Sequence, residues 1–545
     1  MLCMFLCSSF VVYPQTITVK DEGTSEPIEM VSIVSEELNE FISTDKEGKA
    51  NISAFAGAKR IQFQRLGYQI KTLSFEKIKA ADYVIMLQAS NFSLNEVVVS
   101  ATRWRQNTGD IPSKVISISP KEVEMQNPQT AADLLGVSGK VYIQKSQQGG
   151  GSPMIRGFAT NRLLYTVDGV RMNNAIFRGG NIQNVISLDP FATENTEVVF
   201  GPGSVIYGSD AIGGVMSFQT LSPELSNSDN VLISGKVNSR FSSANNEKTI
   251  HADVKYGWKK WAFVTSASRW DYDHLRQGSN GPDDYLKTYH VKRIEGEDRV
   301  IEQDDPLIQN PTAYTQKNLM QKVKFQPNEN WDFQYGFHYS ETSDYGRYDR
   351  LNRVMNGEPR YAEWKYGPQK WMMNNLNITN SKETKAFDQI SIRLAHQQFE
   401  ESRIDRNFQS EIRRIRAEKV DAYSANSDFV KKIGQKSTVF YGAEYILNEV
   451  ESNGKQENII TGDIASSPSR YPQSTWSSLA VYTNYEFKPS DKFTMQGGIR
   501  YNHFLLDAEF DTVFYAFPFT EAEIDNGAFT GSLGVVYHPG DSWSV

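Results

Sequence analysis

"WDFQYGFHYS", residues 331–340, alternates strictly: Trp331, Phe333, Tyr335, Phe337 and Tyr339 fall on one face of an extended chain, and Asp332, Gln334, Gly336, His338 and Ser340 on the other. A two-residue period with one oily and one wet face predicts a half-buried strand, here with an aromatic-rich oily side. The pattern returns in "TIHADVKYGW" (249–258), where Ile250, Ala252, Val254, Tyr256 and Trp258 oppose Thr249, His251, Asp253 and Lys255. It returns again in "SLAVYTNYEF" (478–487), with Leu479, Val481, Thr483, Tyr485 and Phe487 on one side. From about residue 231 onward there are about twelve such segments, each near the ~10 residues of a tilted membrane strand.

The connections between these segments decide what kind of sheet they form. Short turns at Lys259-Lys260, 326–330, 431–436 and 488–492 alternate with long polar loops at about 271–316, 341–370, 448–474 and 505–526. Each kind therefore belongs to one end of the sheet. Sandwiches and propellers do not sort loop length by end, whereas outer-membrane barrels place short turns toward the periplasm and long loops outward. Trp258, Trp261, Trp331, Trp371 and Trp476, at strand ends, are expected to form the interfacial girdles.

Composition agrees with this setting. The 545 residues carry 57 Lys+Arg against 65 Asp+Glu, a formal net charge of -8, with none of the basic character that nucleic acid requires. No apolar run beyond the N-terminus approaches the ~20 residues of a spanning helix. Residues 1–15, "MLCMFLCSSFVVYPQ", are apolar to about Val12 and then broken by Pro14, which predicts a cleaved export signal, although no Lys or Arg precedes Lys20 and a start further upstream would explain that. Cys3 and Cys7, the chain's two cysteines, lie inside it, so the mature chain is expected to contain no disulfide, zinc-cysteine site or thiol nucleophile.

Two units precede the barrel. Residues 16–92 consist of short strands and turns, including "STDKEGK" at 43–49, and predict a small β-sandwich without catalytic residues. Residues 110–226 are mixed α/β: "NPQTAADLL" opens a helix with Asn127 and Pro128 in start positions, and "TEVVFGPGSVIYGSDAIGGVMSFQT" runs strand, glycine turn, short helix, strand. Ser209 stands where a nucleotide P-loop needs Lys, and Gly201, Gly203 and Gly208 lack the dinucleotide spacing, so these glycines read as tight turns. Between the two units lies "LNEVVVSATR" (94–103), whose consecutive valines form a β-prone run inside a linker.

This order, with "LNEVVVSATR", "MIRGF" (154–158), "YTVDGVRMNN" (165–174) and "EVVFGPGSVIYGSDAIGGVMSF" (197–218), resembles the TonB-dependent outer-membrane receptors along essentially the whole chain. The N-terminal unit resembles the carboxypeptidase-regulatory-like sandwich found before many such receptors. What the resemblance implies is a mainly β protein: a sandwich (16–92), a TonB box and linker (93–109), a mixed α/β plug (110–226), and part of a large antiparallel transmembrane β-barrel (227–545), about 22-stranded when complete. Twelve strands do not close such a barrel, and the chain stops at "GDSWSV", so a C-terminally truncated sequence is expected.

Residue roles follow from the same resemblance. Leu94, Glu96, Val97, Val98, Val99 and Ser100 would form the TonB box, an unpaired strand that adds to a sheet of TonB. Arg156, Gly157, Asp168, Gly169, Glu197, Gly201, Gly203, Tyr207 and Gly208 carry the plug motifs, with Arg156 and Glu197 expected to form ion pairs with the inner barrel wall. Phe177, Arg178 and Asn181, in "NNAIFRGGN", are the expected ligand contacts, since an aromatic and a guanidinium suit an anionic aromatic iron chelate. No cofactor is expected, and the implied partners are TonB with its inner-membrane complex, outer-membrane lipid and a small-molecule iron chelate. All seven histidines lie at or beyond His251, leaving His290 and loop tyrosines for a haem. Siderophore or haem ranks ahead of oligosaccharide; cobalamin and peptide remain open, and the rivals are a non-transporting surface receptor and an enzyme. The enzyme is disfavoured because no catalytic constellation stands at motif spacing.

Overall fold

The computed structural model describes residues 15–35, 37–38, 40–65, 68, 71–88, 97–99, 101–176, 184–490 and 492–539. The expected export signal therefore lies outside the described residues except for Gln15, as do Leu94, Glu96, Ser100, Phe177, Arg178 and Asn181. The chain divides into two compact units at Glu96/Val97.

The first unit is the expected sandwich. One sheet has the order Lys49–Asn51, Thr16–Asp21, Val84–Leu87, and the other Glu40–Ser43, Ser32–Ser35, Ile61–Gln64, Lys71–Leu73. Ile17, Val19, Ile33, Ile61, Phe63, Ile85 and Leu87 close the space between them and are almost fully buried. The "STDKEGK" turn is held by Asp45, whose carboxylate accepts the N–H groups of Glu47 and Lys49.

In the second unit, the plug is built on a five-stranded sheet of order Lys114–Ile118, Thr193–Phe200, Gly214–Thr220, Leu163–Val167, Val170–Arg171. Its inner strands are buried on both faces, which is why Leu163–Val167 is apolar apart from the buried Thr166. The helix in "NPQTAADLL" starts later than expected: Thr130 is its N-cap, accepting the Asp133 N–H. Asn127, at φ 47°, instead closes the preceding helix Pro120–Gln126, because a left-handed cap suits asparagine.

Twelve antiparallel strands follow in chain order as one sheet, from Leu232–Ser242 to Glu521–Tyr537. Burial is inverted relative to a soluble protein. Ile250, Trp331, Tyr335, Leu479 and Val481 are 40 % exposed or more, whereas His251, Lys322, Asp428, Glu444 and Arg500 are at 3 % or less. The oily face meets lipid and the wet face lines the lumen, as the alternation requires.

Strand length departs from expectation. The strands run from 11 residues to 22, and Ile412–Ile433 joined to Ser437–Asn458 is the longest pair. Much of the expected loops 448–474 and 505–526 is therefore ladder. Beyond the bilayer both faces are wet, so backbone pairing continues while the apolar alternation that marks a strand in sequence disappears. Trp371 corrects another expectation: it shares the parity of Met373 and Asn375, points into the lumen at 3 % exposure and packs against the plug, outside any girdle. At the short-turn end, stacked Trp261, Phe325, Trp331 and Phe333 do form the aromatic band.

Candidate functional site

The residues expected to act in coupling converge where the linker, the plug and the barrel wall meet. Val97–Val98 is a short strand, but it is paired: it lies antiparallel to Gln106–Asn107 in a two-residue ladder. This corrects the expectation of an unpaired strand. The chain turns back between 98 and 106, so the free backbone groups of the valines meet a partner from their own linker. Val98 is fully buried, and the Val99 N–H donates to both oxygens of Glu197, at 3.0 and 3.2 Å.

Glu197, expected to reach the barrel wall, thus holds the linker, with Asn195 Nδ2 donating to it at 3.3 Å. Its strand Thr193–Phe200 is central in the plug sheet, so the side chain is set by an inflexible element. Arg156 sits exposed at φ 49°, beside Gly157 at φ 84°, in the turn between Ser152–Ile155 and Phe158–Ala159, with its guanidinium over Phe200 of the plug itself.

Charges that join plug to wall gather around Arg103. Arg103, three residues beyond Ser100, is buried with its guanidinium 3.1 Å from Asp428 and 2.6 Å from Glu444, and over the ring of Tyr207 at 4.8 Å. Glu444 also receives Arg500 at 2.7 Å and has Arg171 of the plug at 3.7 Å. Asp428 receives Arg393 and the Tyr482 hydroxyl, and Arg171 pairs with Asp210 at 2.9 Å. Four guanidiniums therefore surround three carboxylates, linking the linker, the plug and four barrel strands. Gly208 makes this possible: a Cβ there would lie 3.3 Å from Arg500 and 3.4 Å from Arg171, at φ 85°.

A second fastening uses Asp168. With Gly169 it forms the expected tight turn, both at positive φ, and its carboxylate accepts the Thr220 N–H while meeting Lys322 at 2.9 Å and His338 at 3.2 Å on the wall. Burial would raise this carboxyl, but the Lys322 ammonium holds it well below the ordinary range. Gly201 and Gly203 flank Pro202 as the expected chain punctuation before the short helix Ser204–Tyr207.

At the long-loop end, Glu401, Arg403 and Asp405 continue the inward parity of Phe399 and face Glu418, Arg416 and Arg414 of the next strand. Arg470 bridges Glu401 and Glu418 at 3.5 and 3.3 Å and lies over the Tyr471 ring. Asp405 takes Arg414 and Arg416. Arg403 lies over Tyr366 at 5.3 Å and, among the described residues, has no carboxylate partner. Sequence reasoning missed this arginine wall because its members are spread over two strands and a loop. Above it, Asp298 of the hairpin Tyr289–Ile294/Glu297–Glu302 accepts both terminal nitrogens of Arg406 and the Gln409 N–H, pinning that hairpin to the neighbouring strands.

Comparison with known proteins agrees with this architecture. A family model described as TonB-dependent Receptor Plug Domain matches residues 107–215, one described as TonB dependent receptor-like, beta-barrel matches 257–545, and one described as CarboxypepD_reg-like domain matches 18–99. The chain is 40 % identical over 149 residues to the vitamin B12 transporter BtuB of Vibrio vulnificus, covering 26 % of this chain and 23 % of that protein. It is 32 % identical over 130 residues to a hemin receptor of Yersinia pestis, covering 24 % and 19 %. Among solved structures, the copper transporter OprC aligns with TM-score 0.60 at 13 % identity over 78 % of this chain and 61 % of its own. The unliganded ferric citrate transporter FecA aligns with TM-score 0.56 at 16 % identity over 80 % and 62 %. The matches thus span about a fifth to a quarter of the curated relatives and about three fifths of the solved chains.

Proposed function

Because the chain belongs to the TonB-dependent receptors, a family of outer-membrane β-barrels, we propose that it imports a scarce solute, an iron chelate of the siderophore or haem kind, with energy delivered through TonB. The observation that carries the coupling half is the Val97–Val98 strand, tied by Val99 to the plug and by Arg103 to the wall. A segment so placed can report a pull to both bodies at once. A β-prone strand is also what addition to a partner's sheet needs once its short ladder opens.

Ligand class is supported by the arginine wall. Arg403, Arg414, Arg416 and Arg470 stand with three carboxylates and with Tyr366 and Tyr471, so the inward face at the long-loop end has a surplus cation and aromatic surfaces. An anionic, aromatic chelate suits both. Likeness to a vitamin B12 transporter and to a hemin receptor keeps cobalamin and haem as alternative cargoes. Oligosaccharide, peptide and a receptor that binds without transporting stand behind them.

Growth of a deletion strain and its parent under iron limitation, on defined ferric siderophores or haem, tests the reading. A deletion-specific defect on one chelate supports it. Equal growth on every chelate, with a defect confined to limiting cobalamin, replaces iron by cobalamin as cargo.

A further inference from the structure

A single hydroxyl joins Asp189 of the plug to His251 of the barrel wall. Ser268 Oγ is hydrogen-bonded to Asp189 Oδ2 and lies 2.7 Å from His251 Nδ1, while His251 Nε2 lies 3.1 Å from Asp253 Oδ2. His251 is fully buried and Ser268 and Asp189 nearly so, at 6 % and 9 % exposure. Phe191 stacks on the imidazole with ring centres 5.2 Å apart. Among the described residues, neither carboxylate forms an ion pair with an arginine or lysine.

The hydrogen bonds can be counted. Three of them connect four groups, so three protons are required. Two ionised carboxylates, a serine and a neutral histidine supply two, one from the hydroxyl and one from the ring. The third proton has three placements, on Asp189, on His251 or on Asp253, and in each the donors turn so that all three bonds are made. In every one, the chain holds one proton more than two ionised carboxylates, a serine and a neutral histidine supply and carries one negative charge instead of two.

We propose that Asp189, Ser268, His251 and Asp253 form a one-proton latch that fastens the plug segment 184–192 to the barrel wall and lets go when that proton leaves. Without it one of the three hydrogen bonds is unmade inside the seam, and two carboxylates flank an uncharged ring, each a cost of docking. The surroundings do not substitute for it. Lys236, opposite Asp253 on the neighbouring strand, is paired with Glu124; Asn238 and Ser266 are the uncharged neighbours of His251 and Asp253; and Arg240, over the Phe191 ring, is paired with Glu247. The Asp168, Lys322 and His338 cluster lies across a cavity of about 30 Å³ lined by Asp189, Ser266, Asn318 and His338. That volume accommodates one water, a route for the proton to exchange.

The sign follows from where the proton is held. Burial pushes the Asp189 carboxyl above its ordinary range in the docked plug, so the docked state binds the proton more tightly than the undocked one. Latching is complete below the ordinary carboxylate range and declines as pH rises through the docked value. One proton per plug limits the decline to about tenfold per pH unit. Gln316 Nε2, donating to the Ile186 carbonyl at 2.6 Å, is a second, non-titrating tie on the same segment, so release loosens this stretch without freeing the plug.

Hydrogen exchange of the 185–192 amides, corrected for intrinsic rates and followed from mildly acidic to mildly alkaline pH in the membrane-embedded full chain, tests the latch. In the parent, protection should fall with rising pH at a slope of no more than about tenfold per unit. Asp189→Asn should retain protection and lose the slope, because its amide donates to Ser268, Ser268 to His251 Nδ1, and the neutral ring's Nε2–H to Asp253, completing all three bonds without an added proton. His251→Phe should be poorly protected at every pH, with the heat-modifiable barrel band reporting that the barrel remains folded. A parent without a pH-dependent step, or Asp189→Asn with the parental slope, overturns the proposal.

Discussion

Glu197 accepts the Val99 N–H at 3.0 Å, a carboxylate from the plug sheet reaching the backbone of the linker strand. The chain therefore holds with its own groups the strand proposed above to pair with TonB. A charge-assisted bond of this kind contributes about 1.5–3 kcal/mol.

Glu197→Ala should make the segment easier to capture. Release of at least about 1.4 kcal/mol corresponds to roughly tenfold, so affinity for a soluble TonB C-terminal domain should rise by about that factor in calorimetric titration. Unchanged affinity would show that the Val99 contact does not restrain the strand.

Val98→Pro should abolish energised uptake and preserve surface binding. Proline removes a backbone donor and restricts the residue before it, costing about one to three kcal/mol of strand pairing. Labelled ligand should bind cells with near-parental affinity yet fail to accumulate, as in parental cells treated with a protonophore. Accumulation at the parental rate would leave the non-transporting receptor as the better account.

Glu444→Ala should be the most damaging single change in the plug–wall seam. It leaves Arg103 and Arg500, both buried, short of a counter-charge, a loss of about 3–5 kcal/mol. Thermal unfolding of the plug should shift down while the barrel transition stays. A double-mutant cycle with Arg103→Ala should return a coupling of at least about 1 kcal/mol, and strict additivity would contradict a direct pair.

Asp168 predicts an acid-sensitive contact of opposite sign to the Asp189 latch. Its carboxyl is held below the ordinary range, so its contribution is present above the ordinary value of about 3.9 and is lost as pH falls through the depressed one. Plug docking at neutral pH should weaken in Asp168→Asn and approach the parent's in strong acid. An equal difference at all pH values would mean the carboxylate is not the titrating group.

Asp298→Ala should unfasten the outward hairpin from Arg406 and Gln409. Ligand capture at the surface should weaken several-fold with the barrel band unchanged, since the hydrogen bonds that Asp298 makes lie wholly in loops and strand extensions. Capture identical to the parent's would exclude the hairpin from the ligand's path.

The strand alternation of 249–258, 331–340 and 478–487 was legible because lipid on one side and a wet lumen on the other impose opposite demands on neighbouring residues. Turn chemistry at Asp168-Gly169 was legible for a similarly local reason. Pairings across the seam were not. His251 and His338 read only as wet-face residues and Lys322 and Glu444 carried no signal of their own, since their plug and linker partners lie tens to hundreds of positions away, and nothing local distinguishes a lumen residue that meets water from one that meets the plug. Trp371 shows the converse: an aromatic at a strand end suggests a girdle until parity with Met373 turns it inward.

The hairpin geometry of the linker also fixes the order in which it yields to tension. A load applied N-terminal to Val97 acts at the open end of the two-residue ladder with Gln106–Asn107, so its bonds break in succession rather than together. The Val99–Glu197 bond is loaded next, and the roughly five residue steps from Val98 to Arg103, at most about 17 Å when extended, lie between the ladder and the guanidinium. Along the line of such a load the restraints stand in series, first the two-residue ladder, then the Val99–Glu197 bond, and last the buried Arg103 between Asp428 and Glu444, so the strand is the first part of the seam a pull would reach and the ion pairs the last.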